Sequence, residues 1–123
     1  MEVLIISKGT EMLCVPVERL VYVASEGNYS KVVTQDNRHR IVSFQLGQIE
    51  DLIDGQLGDA ASRFTRLGRC LIVNVDFVYF IDISKQLLIL SDCLDFYKEL
   101  SVPREPLIKL KAYLEALTAY GKQ

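Results

Sequence analysis

The chain has 123 residues, and 14 basic against 16 acidic side chains give a formal net charge of −2. Half of the residues are apolar and 24% are charged, which is typical of a globular domain and excludes collagen-like, low-complexity and disordered chains. The apolar runs are far shorter than the ~20 residues that cross a bilayer, so we expect no transmembrane helix.

Length and cysteine usage indicate one domain in a reducing compartment. We place the domain at residues 1–118, with a short tail at 119–123. Cys14, Cys70 and Cys93 form an odd set without C-x-x-C spacing. We therefore expect three reduced, mostly buried thiols and a cytoplasmic protein.

The first part of the chain predicts strands joined by tight turns. Lys8–Glu11 is a plausible first turn, and Gln35-Asp36-Asn37 suits a short hairpin loop. Glu26-Gly27-Asn28 is the strongest turn signal, because Gly and Asn tolerate a positive φ. The predicted strands are Val3–Ser7, Met12–Val15, Leu20–Ala24, Tyr29–Thr34 and Arg38–Val42.

The hydrophobic period changes to that of a helix after Val42. Ser43 is a reasonable N-cap, Asp54-Gly55 is a plausible end, and a polar linker follows at Gly58–Ser62. The helix is indicated by the spacing of Phe44, Leu46, Ile49, Leu52 and Ile53.

The rest of the chain predicts more strands and a final helix. Asn74 follows a buried strand and is expected to bond the backbone with its side chain. Pro106 lies in the first turn of an amphipathic helix whose apolar stripe is Leu107, Leu110, Leu114 and Leu117. The fold class is therefore mostly β with two helices, an α+β arrangement with largely antiparallel sheets. The remaining predicted strands are Arg63–Leu67, Cys70–Val73, Phe77–Ile83, Leu87–Leu90 and Leu94–Val102.

The residues that usually carry catalysis are absent from the sequence. His39 is the one histidine, so the sequence cannot form a multi-histidine metal site. The acidic residues Glu50, Asp51 and Asp54 fit a solvated helix face. No phosphate-loop, dinucleotide, nucleophile-elbow or zinc-protease motif is present. We expect no enzymatic activity, no metal site and no cofactor.

Three short patterns could contact an anion such as DNA. Glu26–Lys31 is a turn with polar and basic side chains, Arg63-x-x-Arg66-x-x-Arg69 has no acid between its arginines, and Pro103-Arg104 opens a helix. Taken alone, each pattern fits an ordinary turn, scattered surface arginines or a capped helix at least as well.

In their order along the chain, these segments resemble the LytTR-type DNA-binding domain of bacterial response regulators. The likeness runs from about Met1 to Leu117. It rests on Val21–Lys31, which ends in Glu-Gly-Asn-Tyr-Ser-Lys, and on the helix segment Leu46–Leu52. It rests further on Phe64–Asn74, which reads FTRLGRCLIVN, and on Ser101–Glu105 before the last helix.

The resemblance implies a β-rich domain of a transcriptional regulator that binds duplex DNA through loops. It further implies binding to repeated half-sites about one helical turn apart, as a homodimer on DNA, with a receiver domain or protein partner outside this chain. Asn74 would be structural. The DNA-contacting residues carried over are Asn28, Tyr29, Lys31, Arg66, Arg69 and Arg104.

Three positions depart from the family pattern. Gly68 and Cys70 stand where the family has histidine and serine, and Glu105 replaces a second arginine. A carboxylate repels phosphates, so these departures favour weaker or altered DNA binding. The alternative is a protein-interaction domain of the same fold that has lost DNA affinity. The charge is uneven, with −4 over residues 1–62 (5 basic, 9 acidic) and +2 over residues 63–123 (9 basic, 7 acidic).

Overall fold

The computed structural model describes residues 2–121, and side chains as far as Leu117. Its helices are α1, Leu46–Leu57, and α2, Arg104–Gly121. Short 3-10 helices lie at Val17–Arg19, Gly58–Arg63 and Val75–Phe77. The strands are Val3–Lys8 (β1), Glu11–Pro16 (β2), Leu20–Glu26 (β3), Tyr29–Thr34 (β4), His39–Val42 (β5), Phe64–Leu67 (β6), Leu71–Asn74 (β7), Val78–Asp82 (β8), Leu87–Ser91 (β9) and Tyr97–Ser101 (β10).

The strands form three sheets. A hairpin of β1 and β2 stands alone, β10-β9-β8 form a three-stranded sheet, and β5-β4-β3-β7-β6 form a five-stranded sheet. Every described pairing is antiparallel, because short turns connect most of the neighbours. The predicted fold class, mostly β with two helices and antiparallel sheets, is confirmed.

A separate apolar core lies on each face of the five-stranded sheet. On one face, which we call the α2 side, Leu107 and Leu110 of α2 pack with residues of β7, β8 and β9. On the other face, the α1 side, Ile49 and Ile53 of α1 pack with the β1–β2 hairpin. Strand side chains alternate between faces, so Val32 of β4 lies in the α1-side core and its neighbour Val33 in the α2-side core.

The helix α1 differs from its predicted limits at both ends. Its N-cap is Gln45 rather than Ser43, because the Gln48 side chain accepts a hydrogen bond from the Gln45 backbone N–H at 2.8 Å. It runs past Asp54-Gly55 to Leu57, whose burial against the α1-side core favours another turn. The predicted linker Gly58–Ser62 forms most of a 3-10 helix.

The cysteine prediction was wrong about burial, since Cys14, Cys70 and Cys93 are all exposed. On β2 it is Val15 that points inward, so its neighbour Cys14 points outward. Cys70 lies in the turn between β6 and β7, and Cys93 lies in the loop after β9. Within residues 2–121, no helix has the length and apolar character needed to cross a membrane.

Candidate nucleic-acid interface

Three segments meet at one end of the five-stranded sheet. They are the β3–β4 turn, the β6–β7 turn and the start of α2. The end of β3 lies beside the β6–β7 turn, because the Ser25 N–H donates to the Cys70 carbonyl at 2.9 Å. The same turn touches α2, since a Cβ placed on Gly68 would lie 3.6 Å from Cγ of Pro106.

The β3–β4 turn presents Asn28 and Tyr29 to solvent. Gly27 has a φ of +62°, which a glycine adopts without strain, and this closes the tight connection that the sequence predicted. Tyr29 begins β4 opposite Glu26, and 51% of its surface is exposed. Two hydrogen-bonding side chains therefore lie at the end of the hairpin.

Lys31 lies two residues further along β4, on the α2 side of the sheet. It pairs with Ala24 of β3 and with Ile41 of β5. Because side chains alternate along β4, Lys31 shares its face with Tyr29, whereas Ser30 points to the α1 side. The buried Ser30 hydroxyl donates to the Phe44 carbonyl at 2.7 Å and so fixes that alternation.

The β6–β7 turn carries Arg69 at its exposed tip. Gly68 has a φ of +66°, so a residue without a Cβ suits the turn. The start of α2 places Arg104 and Glu105 in solvent beside this turn, while Leu107 anchors the helix in the α2-side core. Among the described residues, no ion pair includes Arg69, Arg104 or Lys31.

Arg66 lies on the other face of the sheet. On β6 it pairs with Ile72, a residue of the α1-side core, while the next residue, Leu67, enters the α2-side core. Its guanidinium bonds to Glu50 of α1, with Nη1 and Oε1 2.9 Å apart. Arg63, the first arginine of the predicted basic run, lies 3.6 Å from Asp76. Of these three arginines, Arg69 alone has no acidic partner in the described chain.

The local electrostatics at this end are mixed. Three cations, Lys31, Arg69 and Arg104, share the surface with Glu26 and Glu105, which are both exposed. The carboxyl groups whose pKa is displaced lie elsewhere, in Asp36, Asp82 and Asp92. The surface is therefore weakly cationic, in line with the effect expected from the glutamate at position 105.

Asn74 and Glu50 each have a structural role that involves a partner distant in sequence. Asn74 was predicted to bond the backbone, and this is confirmed: it donates to the Leu20 carbonyl at 2.8 Å and accepts from the Asp76 N–H at 3.0 Å. The role of Glu50 was missed, because a carboxylate on a helix face gives no sign of a partner sixteen residues later.

A surface groove of about 1200 Å³ lies at the opposite end of β4. It runs between β2 and the β4–β5 turn, and its charges balance. The charged residues that line it are Arg19, Arg38, Arg40, Asp36, Asp92 and Asp95, beside His39. The groove is separate from the three converging segments.

Comparison with known proteins supports the fold. No protein-family model and no curated protein matches the chain. Among solved structures, the LytTr DNA-binding domain of a Bacillus cereus protein superimposes with a TM-score of 0.58 at 18% sequence identity. The match covers 96% of this chain and 97% of that one. The protein therefore has the fold of a LytTR-type domain.

Proposed function

We propose that this chain is the DNA-binding domain of a bacterial transcriptional regulator, and that it contacts duplex DNA through its loops. The observation that carries the proposal is the convergence of two turns and a helix start, with Lys31, Arg69 and Arg104 outside any described ion pair. The fold, which is shared with a protein described as a DNA-binding domain, supports the same proposal.

The residue types suit two kinds of DNA contact, those that position the domain on the phosphates and those that recognise bases. Lys31 and Arg104 would neutralise phosphates and fix the register of the domain on the duplex. Asn28 and Arg69 lie in the two turns and Tyr29 follows the first turn, where side chains can reach base edges in the major groove. Arg69 is suited to a guanine, whose O6 and N7 accept two parallel hydrogen bonds.

The wider setting follows from the same proposal. A regulator of this kind acts in the cytoplasm, on repeated half-sites about one helical turn apart, so that two copies occupy one face of the DNA. A homodimer on DNA, and a receiver domain or other protein partner outside this chain, would supply the regulation.

Fluorescence anisotropy tests the proposal directly. Wild type, Arg69→Ala and Arg38→Ala are titrated with a random-sequence duplex at two salt concentrations. We expect binding that weakens steeply with salt, and Arg69→Ala should lower the slope of log affinity against log salt by about 1. Arg38→Ala carries the same charge change at the opposite end of β4 and should bind like wild type.

Absence of binding at low salt would contradict the proposal for this domain alone. The alternative, a protein-interaction domain of the same fold, would then be favoured, in keeping with Glu105 at the start of α2. Equal losses in Arg69→Ala and Arg38→Ala would place DNA binding outside the three converging segments.

A further inference from the structure

We infer that Arg66 is a positioning residue, which ties the β6–β7 turn to helix α1 through Glu50 and so presents Arg69. The inference deepens the proposed function and rests on it for its DNA readout. It assigns Glu50, on a helix outside the three converging segments, a part in DNA binding.

The Arg66 side chain points to the α1 side of the five-stranded sheet. The β6–β7 register puts Arg66 opposite Ile72, on the α1 side of the sheet. Lys31 belongs to the α2 side, with Tyr29. A duplex lying against Lys31, Arg69 and the start of α2 therefore approaches from the face that Arg66 does not share.

The guanidinium of Arg66 makes two hydrogen bonds, one to the turn and one to helix α1. Nε of Arg66 donates to the Gly68 carbonyl at 3.0 Å, and Nη1 donates to Glu50 at 2.9 Å. The Arg66 side chain is 28% exposed and that of Glu50 is 41% exposed, so the pair is half-buried on the arginine side and open to solvent on the glutamate side. A planar guanidinium can bond a carbonyl and a carboxylate in two fixed directions, whereas a lysine ammonium is a single point charge.

The β6–β7 turn is also held by β3 and by the start of α2. The Ser25 N–H donates to the Cys70 carbonyl on one side, and on another Pro106 lies 3.6 Å from the position that a Cβ of Gly68 would occupy. The hydrogen bond from Arg66 to the Gly68 carbonyl holds the turn on the side that faces α1. The turn is thus fixed around its backbone while the Arg69 side chain stays exposed, and a fixed turn lowers the entropy lost when Arg69 binds DNA.

Replacing Glu50 distinguishes the positioning of the β6–β7 turn from the effect of net charge on DNA binding. Glu50→Gln removes one negative charge, so electrostatics alone would strengthen DNA binding. Loss of the tether should weaken it instead, by about three- to tenfold at fixed salt. Asp51→Asn is the matched control, because Asp51 is exposed on the same helix, makes the same charge change and belongs to no described ion pair.

Arg66→Lys and Arg66→Ala separate positioning from direct phosphate contact. If Arg66 positions the turn, both variants bind DNA more weakly and both keep the wild-type salt slope. If Arg66 contacts a phosphate, Arg66→Lys keeps most of the affinity and Arg66→Ala lowers the salt slope by about 1. The second pattern, or tighter binding by Glu50→Gln, would overturn the inference.

The DNA-free protein gives a readout that does not depend on the proposed function. The ¹⁵N heteronuclear NOE of the Arg69 amide should fall in Glu50→Gln and Arg66→Lys and stay at the wild-type value in Asp51→Asn. A fall in a protein that binds no DNA would support the tether while refuting the proposed function. An unchanged NOE in both variants would overturn the tether whether or not DNA binds.

Discussion

At the scale of single residues, Asn74 joins the ends of two strands that position the candidate interface. It is 1% exposed, and its side chain bonds both the Leu20 carbonyl and the Asp76 N–H. These bonds connect the end of β7 to the start of β3. Because Asn74 and Leu20 are both buried, removing the amide takes a donor from a buried carbonyl that water does not readily replace.

We expect Asn74→Ala to lower the free energy of unfolding by about 2–3 kcal/mol, the cost of breaking a buried hydrogen-bonded pair. Urea titration followed by circular dichroism measures it. Asn28→Ala, at an exposed turn, should change stability by no more than about 0.5 kcal/mol. Equal stability of the two variants would mean that the Asn74 bonds contribute little.

Residue roles could be predicted from the sequence where the cause is local. The bond between Asn74 and Asp76 spans two positions, and the left-handed conformation of Gly27 follows from its place in a turn. The orientation of Arg66 depends on strand register, and its partner Glu50 lies on another element. Sequence alone therefore identified a basic segment without distinguishing Arg69 from Arg66.

At the scale of elements, the β6–β7 turn depends on the left-handed conformation of Gly68. An added Cβ would meet Pro106 at 3.6 Å, an ordinary contact distance, so the backbone conformation rather than crowding sets the cost. A φ of +66° disfavours residues that carry a Cβ, and Asn is the residue that tolerates it best.

Gly68→Ala should therefore destabilise the domain by about 1 kcal/mol, and Gly68→Asn by less. Thermal unfolding of the two variants beside wild type measures both effects. Gly27→Ala provides a comparison, since Gly27 has a similar φ and open space around it. If Gly68→Ala were far more costly than Gly27→Ala, the contact with Pro106 would be the dominant cause.

The limits of elements were harder to predict than their existence. The spacing of apolar residues indicated α1, but its last turn forms because Leu57 is buried against the α1-side core, and the chain turns at Gly58 with a φ of +53°. Asp54-Gly55 resembles a helix end equally well in sequence. Tertiary burial, which depends on distant residues, decided between the two positions.

At the scale of the whole molecule, the loop after β9 ties the three-stranded sheet to the five-stranded sheet. The Asp92 carboxylate accepts hydrogen bonds from three backbone N–H groups of its own loop, at 2.8–3.0 Å. It also accepts from Nε2 of Gln35, beside the β4–β5 turn, at 2.7 Å. Asn37 of that turn donates to the Asp95 carbonyl at 3.2 Å.

Because of these contacts, we expect the free energy of unfolding of the domain to vary with pH in the acid range. The Gln35 hydrogen bond first, and then the backbone N–H groups, lower the pKa of Asp92 from 3.8 to about 2. Since the folded state favours the charged carboxylate, its contribution to stability is complete above pH 3.8 and is lost as the pH falls towards 2. The pKa of Asp36 and of Asp82 is also lowered, chiefly by the hydroxyls of Thr34 and Ser84, so both act in the same direction.

We expect the free energy of unfolding of the wild-type protein to fall more steeply between about pH 4 and pH 2 than that of Asp92→Asn. The variant keeps an oxygen that can accept the loop N–H groups but has no carboxylate to protonate. Urea titrations across this range measure the two curves, which should approach each other as the pH falls. Asp51→Asn is the matched control, because it makes the same charge change at an exposed carboxylate that accepts no described hydrogen bond. Parallel curves for Asp92→Asn and wild type would show that the Asp92 loop does not link the sheets through its charge.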